Sequence, residues 1–237
     1  MIAVARTALI TGATGGLGRV VAADLARDGL RLGLLGSTEE RLMALAVELE
    51  LDTGTWAVAA ADLRDGSATR QAVETVGARL GGPDIAIHLV GGWTGGTPLV
   101  DIPETDLTSM LEQHAWTTFH VARAVAPGMV ERGWGRIVAV SSPLAAEPTA
   151  RMAAYAAGKA AMEAILGSLA RDLAGSGVTV NVIRVHTIDA DHQRDRAPSA
   201  RDAGWTTPAE ISAAIRYLCS EAAGVVSGAR VPLFGAG

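Results

Sequence analysis

The stretch TALITGATGGLGRVVAADLARDG, residues 7–29, decides the fold. Thr7 to Thr11 form a short apolar run suited to a buried strand, and RVVAADLARDG spaces its apolar residues as a helix that stops at Gly29. Between them lie Gly12, Thr14, Gly16, Leu17 and Gly18. Backbone without side chains can turn sharply there, and the free N–H groups opening the helix offer donors and partial positive charge to a phosphate. Strand, glycine turn and helix in that order predict a dinucleotide-phosphate site.

Outward from this unit the pattern repeats. RLGLLG (31–36) reads as a strand, Thr38 to Glu50 as a helix, Thr55 to Ala60 as a strand with Asp62-Leu63 just past it, and Asp65 to Leu80 as a helix broken by GGP. IAIHLV (85–90) leads into a second glycine-rich turn, GGWTGG, and a helix from Asp106 to about Val125 is expected to end or kink at Pro127. RIVAVS (136–141) and VTVNVIRV (178–185) are further strands; a helix over Pro208–Leu218 and a strand, ARVPLF, precede Gly235. Short strands alternating with helices predict an α/β fold: one Rossmann-like doubly wound parallel sheet of about seven strands, helices on both faces, a single domain over residues 1–237. In such a sheet ligands lie beyond the carboxyl ends of the strands where strand order reverses. Gly12 to Gly18, Asp62, Gly91 and Ser142 share that address. The polar segment 186–204 mixes Asp189, Asp191, Asp195 and Asp202 with Arg194, Arg196 and Arg201, and reads either as a solvated loop or as a lid over substrate.

A second stretch carries the chemistry. IVAVSSPLAAEPTARMAAYAAGKAAMEAILGSLA, residues 137–170, is a strand ending at Ser141-Ser142, a loop, and an alanine-rich helix bearing Tyr155 and Lys159 four residues apart, hence on one face. The ammonium is expected to favour the phenolate and lower the tyrosine pKa from its ordinary value of about 10. Ser142 can offer its hydroxyl to the same space. A tyrosine and a lysine at this spacing are usually surface residues of a helix. Lys159, however, is the only lysine in a chain with 20 Lys+Arg residues, so arginine serves wherever charge alone is wanted.

Bulk properties remove other classes. A formal charge of −5 leaves no basic footprint for nucleic acid. One cysteine, Cys219, argues for a reducing compartment, no apolar run is long enough to span a bilayer, and Arg6 interrupts any leader-like apolar start. The expectation is a cytoplasmic protein with a small-molecule substrate. None of the five histidines has metal-ligand spacing, so no metal is expected.

Together these motifs resemble the short-chain dehydrogenase/reductase family over essentially the whole chain. T-G-x-x-x-G-x-G stands as Thr11, Gly12, Gly16, Leu17 and Gly18; Y-x-x-x-K as Tyr155 and Lys159, with Ser142 thirteen residues upstream; Asp62 matches the acid near the adenine ring and Asn181 the asparagine of the sixth strand. The resemblance implies a bound nicotinamide dinucleotide and interconversion of a carbonyl and an alcohol. Tyr155 would then be the proton donor or acceptor, Lys159 would hold the nicotinamide ribose, and Ser142 would bind the substrate oxygen. It also implies a homodimer or homotetramer joined through the helix before Pro127 and the helix bearing Tyr155.

The departures from the pattern are specific. The usual N-N-A-G is His88-Leu89-Val90-Gly91; the GGWTGG that follows is reminiscent of dihydropteridine-reductase-like members. The helix-four asparagine of a proton relay is His114, which could serve that relay or simply pack. Pro-Gly after the sixth strand is Val185-His186, leaving Thr187 and Ile188 as the nearest nicotinamide contacts. Gly36 stands where NAD-preferring members have an acid and Ser37 where NADP-preferring members have an arginine; the lack of the acid favours NADP(H) over NAD(H), with Ser37 and Thr38 as candidate phosphate donors. These losses leave open a non-redox isomerase, cyclase or dehydratase, or a silent dinucleotide-binding protein.

Overall fold

The computed structural model describes residues 5–196, 199 and 202–234, so Arg201 and Gly235 lie outside the described residues. Strands β1 (Thr7–Thr11), β2 (Arg31–Gly36), β3 (Trp56–Ala60), β4 (Ile85–His88), β5 (Gly135–Ser141), β6 (Val178–Arg184) and β7 (Arg230–Pro232) form one sheet in the order β3-β2-β1-β4-β5-β6-β7. Every pairing is parallel. The central strands are buried on both faces, which is why they read as continuous apolar runs rather than alternating ones. Strand order reverses between β1 and β4, and Thr11 lies in register with both Leu35 and His88. The turns after β1 and β4 therefore open on one crevice.

The helices are α1 (Gly16–Arg27), α2 (Glu39–Glu48), α3 (Gly66–Leu80), α4 (Glu104–Leu111), α5 (Thr117–Glu131), α6 (Ala153–Asp172), α7 (Gln193–Arg196) and α8 (Pro208–Cys219). On one face Val21, Leu25, Leu42, Leu45, Ile211 and Ile215 pack against Ile10, Leu34 and Ile87. On the other, Val76, Val121, Val125, Met162 and Leu166 pack against Leu9, Leu35, Ile137 and Val180. Each such side chain contributes about 1.5–3 kcal/mol when fully buried, which is what holds both layers to the sheet. Asp65 caps α3 by accepting from the N–H groups of Ser67 and Ala68, and Thr207 with Glu210 forms a reciprocal capping box at the start of α8.

Two expectations fail between Glu104 and Glu131. Pro127 neither ends nor visibly interrupts the helix, since α5 runs on to Glu131. The buried stripe Val121, Ala122, Val125, Ala126 and Met129 continues past the proline, and its packing outweighs one missing helix hydrogen bond. The break falls earlier: Glu112–Trp116 is a π-helical turn joining α4 to α5, and it carries His114. The strand and helix ends otherwise fall within a few residues of the sequence reading.

The segment after β6 is tied down. Asp189 is buried, donates its N–H to the Thr206 carbonyl, and its carboxylate accepts from the N–H groups of Gln193 (2.7 Å) and Arg194 (3.0 Å), capping α7. Arg194 reaches the Trp205 carbonyl and Glu210, each at 2.8 Å. Ala190 lies over the glycine turn, its Cβ 3.5 Å from where a Cβ on Gly16 would sit.

Candidate active site

The glycine turn is built for close approach. Gly12 sits at φ +68°, and a Cβ on Gly18 would stand 2.3 Å from the Gly12 carbonyl oxygen, so any side chain at 18 would break the turn. Gly15 precedes α1 with no side-chain cap, which leaves the first helix N–H groups facing the crevice. That is a cradle the size of a backbone and no larger, and it suits the phosphates of a dinucleotide.

Two adjoining clefts, each of about 520 Å³, meet at Gly12, Gly15, Leu89 and Gly91. The first holds Thr14, Gly36, Ser37, Asp62 and Leu63, and with them Arg41 and Arg64, which the sequence reading passed over. Arg64 donates to both oxygens of Asp62 at 2.7–3.1 Å, and its hydrogen bonds hold that carboxyl below the usual range. The second cleft holds Gly16, Leu17, Gly18, His114, Tyr155, Lys159, Thr187 and Ile188. Ser142 lines neither cleft. It follows the last residue of β5 and caps the short turn Pro143–Ala145, accepting from the Leu144 N–H at 3.3 Å, while its hydroxyl hydrogen-bonds Tyr155.

The electrostatics differ from expectation at the central pair. Burial pushes the Tyr155 phenol above 10.0, with the Ser142 hydroxyl opposing in part; the lysine does not overturn this. Lys159 is itself buried, its Nζ donating to the Val140 carbonyl at 2.9 Å and lying 5.9 Å from the Tyr155 ring centroid. Desolvation brings its pKa down to about 8, with Glu163 working in the opposite direction. The pair is thus a neutral phenol beside an amine that titrates near neutrality.

His114 belongs to this cleft. Its ring meets that of Tyr155 edge-on, centroids 5.5 Å apart, and its Nε2 is 3.0 Å from the Gly92 carbonyl, which can only accept. The proton is therefore on Nε2, leaving Nδ1 as a buried acceptor without a partner among the described residues. Desolvation and the Lys159 charge lower its pKa to about 3, so it is neutral. A Cβ on Gly91 would stand 2.5 Å from His114 Cε1, and one on Gly158 would stand 3.0 Å from His114 Cδ2. Both glycines make room for the ring.

His88, noted in the sequence only as a departure, anchors the same turn. Thr117 Oγ1 donates to the Gln113 carbonyl (2.8 Å), so it accepts from His88 Nε2–H (3.2 Å), and Thr11 Oγ1, which accepts from the Leu89 N–H, donates to His88 Nδ1 (2.9 Å). One imidazole, in one tautomer, thereby pins β1 and β4 to the first residue of α5, whose hydroxyl in turn bonds Gln113 of the π-helical turn. Desolvation, with Lys159 and His114 beside it, lowers its pKa to about 3. Asn181 proves to be scaffold: its amide bonds the Val226 carbonyl and the Ala229 N–H, fastening the last strand to β6.

The chain matches the family model described as short chain dehydrogenase over residues 6–200. It belongs to the short-chain dehydrogenase family. It is 34% identical over 189 residues to a short chain dehydrogenase of Pseudocercospora fijiensis, a match covering 78% of this chain and 60% of that protein. It is 30% identical to the D-threitol dehydrogenase of Mycolicibacterium smegmatis, across 97% of this chain and 92% of that one. A solved short-chain type dehydrogenase/reductase from Mycobacterium ulcerans superposes with a TM-score of 0.88 at 26% identity, covering 98% of this chain and 89% of the other. This short-chain dehydrogenase is accordingly an NAD(P)(H)-dependent oxidoreductase. Among its described residues no helix is long and apolar enough to cross a membrane.

Proposed function

We propose that this oxidoreductase interconverts a carbonyl and an alcohol on a neutral, small to medium organic substrate, with Tyr155 exchanging the proton. The observation that carries the reading is the second cleft, where Tyr155, Lys159 and His114 converge beside the glycine turn, with Lys159 the one lysine or arginine among the described residues that line it. Among the described lining residues no arginine stands ready to pair with a substrate carboxylate or phosphate. Trp93 and Ile188, both exposed at its rim, offer apolar contact instead.

When bound, the nicotinamide supplies or accepts hydride. Gly12 to Gly18 would hold the phosphates, Asp62 and Leu63 the adenine side, Gly91, Thr187 and Ile188 the nicotinamide side, and Lys159 the ribose. Tyr155, a neutral phenol, donates to a substrate oxygen as charge builds on it, and the Ser142 hydroxyl stabilises the same oxygen. His114 Nδ1 is placed to accept a hydrogen bond from water on the path by which the proton is replaced. Ser37 and Arg41 share the first cleft and β2 ends in Gly36 rather than an acid, while Asp62 of that cleft is held by Arg64; this favours NADP(H). The described part of 186–204 would cover the substrate as a lid, with Thr187 and Ile188 lining the second cleft. Nothing in the site favours an isomerase, cyclase or dehydratase.

Thermal-shift titration with NAD, NADH, NADP and NADPH, followed by turnover of a panel of neutral ketones and alcohols, tests the reading. Stabilisation greatest with NADPH and oxidoreduction of a neutral ketone are expected; stabilisation by none of the four would overturn it. The groove between α5 and α6, lined by Phe119, Ala126, Pro127, Val130 and Leu169, suits a homodimer or homotetramer. A monomer in sedimentation at micromolar concentration would sink that part.

A further inference from the structure

One buried acid takes no part in the chemistry above. Glu163 lies one helical turn beyond Lys159, on the same face of α6, with only 4% of its surface exposed. Arg184, on β6, donates to its two oxygens from Nε (2.9 Å) and Nη2 (2.5 Å), and Arg230, on β7, donates from Nε (2.7 Å). Two guanidinium groups from separate strands thus meet one carboxylate, and a third cation, Lys159, stands above it.

For fold stability alone this is a poor arrangement. A buried ion pair returns little over a well-packed apolar group, and here the carboxylate is buried while Arg230, its side chain 42% exposed, still faces solvent. Burial would lift the Glu163 carboxyl, but hydrogen bonds from Arg184, then the Ser141 hydroxyl, then Arg230 reverse this and hold it below the usual carboxylate range. The remaining titratable groups around Lys159 are neutral: His88 from β4, His114 from the π-helical turn and Tyr155 from α6 itself. Glu147, in the loop before α6, acts on Arg184 rather than on the amine. Glu163 is therefore the carboxylate, among the described residues, whose field acts on the lysine.

We propose that Glu163 is a positioning residue that keeps Lys159 charged inside the protein, and that Arg184 and Arg230 set how strongly it does so. The inference rests on the reading of Lys159 as the amine that serves Tyr155. Removing the carboxylate favours the neutral amine. Removing one arginine frees more of the carboxylate's field and favours the ammonium. A merely structural cluster predicts no such opposition of sign.

The lone lysine makes the test direct. Protein labelled with carbon-13 only in lysine gives one side-chain signal, whose pH titration reports Lys159 without any need for turnover. Wild type should titrate near pH 8. Glu163→Gln should move the midpoint down by roughly one pH unit or more, and Arg230→Gln should move it up. Glu163→Asp should restore most of the wild-type value. Should Glu163→Gln fail to fold, Arg230→Gln carries the test by itself, its side chain being partly exposed. Midpoints unchanged in the variants that fold would overturn the proposal. The kcat/KM pH profile, run in parallel, separates the two readings. If the lysine signal moves and the rate profile stays put, the coupling stands and the catalytic role of Lys159 falls.

Discussion

Tyr155 and Lys159 sit in a cleft that penalises every charge it contains, and their substitutions should separate chemistry from stability. Tyr155→Phe removes the proton donor and little else, so turnover should fall by about 10²–10⁴-fold while nucleotide binding, read by thermal shift, persists. Lys159→Met should do something less intuitive. The folded pKa of about 8 lies below the unfolded value near 10.5, so at pH 7 both states are protonated and the folded state carries the whole desolvation penalty. That penalty is relieved only as pH rises from about 8 toward 10.5. Methionine at 159 should therefore raise the stability at pH 7 by about 1–3 kcal/mol in urea unfolding while abolishing turnover. Loss of stability on that substitution would mean that the Val140 and Glu163 contacts outweigh desolvation.

The π-helical turn is the element that sequence periodicity could not show. A single inserted residue in a helix leaves the apolar spacing on either side intact, and Pro127, the only overt breaker, drew attention to the wrong place. The identity of His114 was legible, and its environment was not, because Gly91 and Gly158 come from distant parts of the chain. His88 was equally visible as a residue, but its role depends on Thr11 and Thr117, at separations no local pattern spans. Glu163 did leave a signal: Tyr155, Lys159 and Glu163 recur every fourth residue along one helix face. Thr117→Val tests the anchoring. It leaves His88 Nε2–H buried without an acceptor, which should destabilise the fold by about 1–3 kcal/mol. It should also lower kcat/KM as the turn shifts under His114. A variant as stable and active as wild type would show the anchor to be dispensable.

Across the whole molecule, the doubly wound parallel sheet and its two packed faces followed from strand and helix periods, because parallel strands buried on two sides have little choice of composition. Charge balance was less legible, since it is set by which side chains tertiary packing takes out of water. His88 and His114, both with folded pKa values of about 3, bind protons only in the unfolded chain over the range from about 6.5 down to 3. Stability should fall as pH drops through that range, by up to about 2.7 kcal/mol per pH unit where both contribute. Urea midpoints at pH 7, 6 and 5 measure this, and a flat series would contradict the neutral assignment of both rings.

The ion-paired arginine on β7 has a bearing on how the protein is made. During synthesis the glycine turn leaves the ribosome before the tyrosine–lysine helix, and the carboxylate on that helix lacks its second guanidinium until Arg230 emerges and docks beside β6. The nascent chain can gather most of its hydrophobic layers first, and the tuning of its central amine is completed last.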